Sequence, residues 1–69
     1  MEAVKTKIEW IKTNKEIEGV TAYRVVRVLK DDERVVSGIC PSFPNAETWL
    51  SLYCGTYPKH TYVIQYRSQ

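Results

Sequence analysis

The sequence predicts an α+β fold: a small antiparallel sheet of three to four strands with one helix packed on one face, in the order β-β-β-α-β. Three observations carry this. Residues 20–40 hold two β-branched runs either side of an acidic turn. Residues 42–55, SFPNAETWLSLYCG, have the punctuation and spacing of a helix. Residues 61–67, TYVIQYR, alternate as a strand does.

Taken in order, Met1 to Lys12 fits two templates. Val4, Thr6, Ile8 and Trp10 alternate with Lys5, Lys7 and Glu9, which suits a strand with one buried face. A helix would use Val4, Ile8 and Ile11 but leave Trp10 off its stripe, so the strand is preferred. Thr13 to Gly19 is polar, ends in glycine and reads as a turn. Val20 to Lys30 is a strand with apolar residues on both faces, the mark of a central position: Tyr23, Val25 and Leu29 on one side, Ala22, Val26 and Val28 on the other. Asp31-Asp32-Glu33 is the turn, and Arg34 to Cys40 returns as the hairpin partner, with Gly38 marking a bulge or a close approach of the helix.

In the helix, Pro44 presets the first turn and Asn45 is the expected N-cap. Ala46, Trp49, Leu50 and Tyr53 make the expected buried stripe, and Gly55 is expected to end the helix in a left-handed conformation. Pro58 keeps the next stretch in a loop. The last strand puts Tyr62, Ile64 and Tyr66 on one face and Val63 and Gln65 on the other.

Residues 1–69 make a single small domain, near the lower end of what folds alone. Such a chain buries only about 60% of its unfolded surface. A composition of 43% hydrophobic and 26% charged residues is that of a globular domain, and a formal charge of +2 does not by itself imply a nucleic-acid partner. No apolar run approaches membrane-spanning length and no signal-peptide pattern begins the chain, so a cytosolic protein without a membrane partner is expected. With only Cys40 and Cys54, there is no disulfide framework; the thiols are expected reduced, and a single Cys40–Cys54 bridge stands as the alternative.

Little here suits catalysis. Cys40, Cys54 and His60 lack the close pairing and fourth ligand of a zinc site, and the two cysteines read as small core hydrophobes. Asp31, Asp32 and Glu33 read as a solvated turn, and Gly19, Gly38 and Gly55 are isolated, so no phosphate loop exists. No catalytic residue, cofactor, metal or small-molecule substrate is expected.

The aromatics are more informative. Six of the eight fall between residues 43 and 66, a stretch charged only at Glu47 and Lys59. A fold this small cannot bury them all, and exposed tyrosine and tryptophan dominate binding hot spots. The expectation is therefore a non-enzymatic protein–protein interaction module that binds a larger protein or a second copy of itself as a homodimer. Tyr53, Tyr57, Tyr62, Tyr66 and Lys59 would form the partner-binding surface. Proteins of this size and class without chemistry are often accessory or inhibitory proteins of phages and other mobile elements, an association that gives this expectation a setting. The alternative is a nucleic-acid-binding module using Arg24, Arg27, Lys30 and Arg34 of the basic hairpin. Against it, Arg24 and Arg27 differ in parity and point to opposite faces. One helix covers only one sheet face, so Val26, Val28 and Val63 are expected in water unless a second copy or the N-terminal segment covers them.

Overall fold

The computed structural model describes residues 9–68. It contains strand β1 (Trp10–Thr13), strand β2 (Tyr23–Val28), strand β3 (Glu33–Val35), helix α1 (Phe43–Thr56) and strand β4 (Thr61–Arg67). The strands form one antiparallel sheet in the order β1-β4-β2-β3, with the helix on one face. The fold class is the one the sequence predicts. The choice between strand and helix for the start of the chain falls mostly outside the described residues; from Trp10 onward the backbone is a strand, running to Thr13.

Several boundaries differ from those expected, each for a local reason. β2 begins at Tyr23, not Val20, after a turn at Gly19 with φ 83°, the one described residue in left-handed backbone. The hairpin closes where the Leu29 amide donates to the Asp32 carbonyl, so the turn precedes Glu33, which starts β3. β3 ends at Val35 because a side chain interrupts the ladder: the Val25 amide donates to Ser37 Oγ at 2.9 Å, and the Val36 carbonyl accepts from the Tyr53 hydroxyl. Pairing resumes as a single bridge between Tyr23 and Cys40. Three residues on β2, Val25 to Tyr23, thus oppose five, Val36 to Cys40, and the chain bulges at Gly38.

The helix is capped by Ser42, not Asn45. Ser42 has extended backbone (φ −147°, ψ 161°) and its Oγ accepts from the Asn45 amide at 3.3 Å. Gly55 does not stop the helix, which continues to Thr56 and ends at Tyr57, the residue whose helical geometry Pro58 disfavours. The buried stripe is also rotated. Phe43 enters the core edge-on to Tyr23, ring centroids 5.8 Å apart, so the inward face is Phe43, Ala46, Leu50 and Tyr53. Trp49 is thereby turned to the flank and is 42% exposed, contrary to its expected burial.

The core between helix and sheet comprises Tyr23, Val25, Cys40, Phe43, Ala46 and Ile64, with Leu50, Tyr62 and Tyr66 packed around it. Tyr23 is fully buried; its hydroxyl accepts from the Ile17 amide and donates to the Ile17 carbonyl, which pins the β1–β2 loop. Cys40 is a core residue as expected, but Cys54 is exposed; both thiols are free.

The helix-free face is not a bare apolar surface. Arg24 Nε donates to Gln65 Oε1 at 2.9 Å, and Gln65 Nε2 donates to Glu33 Oε1 at 3.0 Å. The Arg24 guanidinium lies 4.1 Å over the Trp10 ring. Trp10, Gln65, Arg24 and Glu33 thus form a belt drawn from β1, β4, β2 and β3. Gln65 is level with Arg24, and Glu33 with Val28, so the Gln65–Glu33 bond crosses β2 at the level of Val26. Val26 has no exposed surface and Gln65 only 4%. The expectation that Val26 and Val63 stand in water is therefore corrected: Val26 is buried and Val63 half-buried, and only Val28 is exposed. Nor is β4 an edge open to pairing, since it lies between β1 and β2.

Candidate interaction surface

Five rings run as a ladder along the helix face. Trp49 and Tyr53 are one helical turn apart, with centroids 6.1 Å apart. Tyr53 stacks on Tyr62 of β4 at 5.4 Å and 28°. Tyr62 leads to His60, whose Nδ1 lies 3.2 Å from the Tyr62 hydroxyl, and His60 stacks on Tyr57 at 5.3 Å and 14°. The middle of the ladder is half-buried and its two ends, Trp49 and Tyr57, are exposed. Of the expected partner-binding residues, Tyr53, Tyr57 and Tyr62 are therefore brought together, with Lys59 exposed in the loop beside them. Tyr66 makes none of these ring contacts: it packs on the core and lines, together with Tyr62, a cleft of about 780 Å³ between the start of α1 and the β1–β2 loop.

Beside the Trp49 end, a groove of about 260 Å³ runs between the helix and residues 36–40, lined by Val36, Ile39, Asn45, Trp49 and Tyr53. The bulge before Cys40 forms its outer wall and pushes Ile39 outward, 61% exposed. Leu52, one helical turn beyond Trp49 on the same flank, is 56% exposed. Trp49 and Ile39 thus line the groove as an apolar rim, and Leu52 extends the exposed apolar flank beyond Trp49, a surface that the sequence reading missed. Asn45, Trp49, Leu52 and Thr56 do repeat at helical spacing, but Trp49 counted toward the buried stripe, and nothing local places Ile39 next to them.

The hairpin arginines separate as parity requires. Arg27 pairs with Arg34 on β3 and with Tyr62 on β4, which sets all three on the helix face. Arg24 belongs to the opposite belt, where burial lowers its pKa and the nearby Glu33 carboxylate opposes that shift. Lys30 is exposed at the hairpin tip. Among the described residues no three of histidine, cysteine, aspartate and glutamate converge as a metal site would require, and no helix is long and apolar enough to cross a membrane. No protein-family model, no curated protein and no solved structure matches this chain.

Proposed function

We propose that this chain is a non-enzymatic protein-interaction module whose contact surface centres on Trp49, Leu52 and Ile39. The observation that carries the reading is the exposure of Trp49 and Ile39, which line one groove, together with Leu52, exposed one helical turn beyond Trp49. Tryptophan is the residue type most enriched in binding hot spots, and a groove beside it offers a pocket for a partner's side chain. Asn45 and Thr56 continue the flank with short polar groups, the polar rim that surrounds an apolar anchor. The rigid support is local: Tyr53 packs at a tilt behind Trp49 and its hydroxyl holds the Val36 carbonyl at 2.6 Å, tying together both walls of the groove.

An accessory or inhibitory protein would act through such a surface by covering part of a larger protein. Two free thiols, one of them exposed, suit a reducing compartment. The test is quantitative affinity capture from a cell lysate with nuclease present, comparing wild type with Leu52→Asp and Ile39→Asp. Both substituted side chains are exposed, so the variants should keep the wild-type circular dichroism and melting curve. The expected result is a partner retained by the wild type and lost by both variants. Undiminished capture by both would refute the assignment.

A further inference from the structure

Arg34, Arg27 and Tyr62 are direct cross-strand neighbours on β3, β2 and β4, so they leave the sheet on one face in a row. Tyr62 extends the row through His60 to the stacked, half-exposed ring of Tyr57. Two observations point to an anion here. Like charges directly opposite in an antiparallel pair destabilise it, yet Arg27 and Arg34 are so placed, and among the described residues neither has a side-chain acceptor as Arg24 has in Gln65. Two of the three neighbouring acids, moreover, are engaged elsewhere. Glu33 leaves by the opposite face to Gln65, and Asp32 Oδ1 is occupied by the Glu33 amide. Pairing of Val28 with Thr61 brings Lys59 to the same end as the hairpin, so Arg27, Lys30, Arg34 and Lys59 stand there against Asp31 and Asp32.

We propose that this end of the molecule is a binding platform for single-stranded nucleic acid, with Arg27 and Arg34 on phosphates and the Tyr57–His60 stack receiving a base. A row of guanidinium groups adjoining a stacked aromatic face matches the alternation of phosphate and base along a single strand, whereas a duplex offers phosphates but keeps its bases inside. The surface is distinct from the Trp49 rim, at the far end of the ring ladder.

The experiment is fluorescence anisotropy with labelled single-stranded dT and rU oligonucleotides of about 15 nucleotides, and a duplex of the same length, across a salt series. The expected result is saturable binding to the single strands, weaker binding to the duplex, and a log–log salt slope of about −2, as about three phosphate contacts give. Arg27→Gln and Arg34→Gln should each flatten that slope by roughly 0.7. Tyr57→Ala should weaken binding about fivefold or more at unchanged slope, the loss expected for one stacked base. Leu52→Asp should leave binding unchanged, so this reading and the protein-interface reading fail independently. No binding at low salt, equal binding to the duplex, or insensitivity to all three substitutions would overturn the proposal. So would competition by polyglutamate as effective as by unlabelled oligonucleotide, which would assign the row to an acidic protein surface. An arginine pair that serves only the stability of the fold would lower the melting temperature when substituted and leave anisotropy untouched, again overturning it.

Discussion

Gln65→Met is the substitution that most sharply tests the belt on the helix-free face. Gln65 is almost wholly buried and uses both ends of its amide, accepting from Arg24 and donating to Glu33. Methionine keeps the length and most of the volume, so the packing change is small. What is lost differs between the two partners. Glu33 is exposed, and water replaces the lost donor, so that half costs little. Arg24 is half-buried, with burial already working against its charge, and a hydrogen bond to a charged group of that kind contributes about 1.5–3 kcal/mol. Apolar burial of the methionine offsets part of this, leaving a net destabilisation of about 1–2 kcal/mol. For a domain this small that lowers Tm by about 4–16 °C. The assay is thermal and urea denaturation of Gln65→Met, Arg24→Met and the double variant. The bond should appear as a coupling of about 1 kcal/mol in the double-mutant cycle. Glu33→Gln should change stability by no more than about 0.5 kcal/mol. A Gln65→Met protein melting within about 2 °C of wild type, with additive double-variant energies, would refute the belt as a structural element.

Three further outcomes follow from the core. Tyr23→Phe removes both hydroxyl bonds to Ile17; since Ile17 is half-buried, water compensates in part, and a loss of about 1–2 kcal/mol is expected, with faster hydrogen exchange at the Ile17 amide. Unchanged exchange there would show that the loop is not pinned by Tyr23. Leu50→Ala, at a half-buried site, should cost about 1–2 kcal/mol, below the 2–5 of a fully buried leucine, and Trp49→Ala should cost less still; the reverse order on denaturation would put Trp49 in the core. Native thiol titration should find one reactive group, Cys54, and release Cys40 only in denaturant; two fast thiols, or none, would contradict the burial of one and the exposure of the other.

What was legible in the sequence was what local chemistry decides. The last strand has the expected bounds because period-two alternation runs without interruption from Thr61 to Arg67. The helix was found within a residue at each end, although Ser42 and Pro58 do the work expected of Asn45 and Gly55. Hidden features depend on partners distant in the chain. Ser37 shortens β3 by offering a hydroxyl to Val25, and Phe43 rotates the helix by packing on Tyr23; neither contact has a local signature. Gln65 looked like an ordinary outward polar residue, yet it joins Arg24 to Glu33 across three strands. The acidic turn hid a useful fact as well. Once Glu33 is counted as strand, alternation sends it away from Arg34, and the positive row on the helix face is left without it.

The interface assignment rests on the environment of Trp49, and a single fluorophore reports it. Trp10→Phe leaves Trp49 as the only tryptophan. Emission of this variant, with acrylamide quenching, should be recorded alone and with the partner recovered by affinity capture. The expected result is solvent-exposed emission in the free protein that shifts to the blue and loses quencher access on binding. Bound-state emission and quenching identical to those of the free protein would contradict a contact surface centred on Trp49.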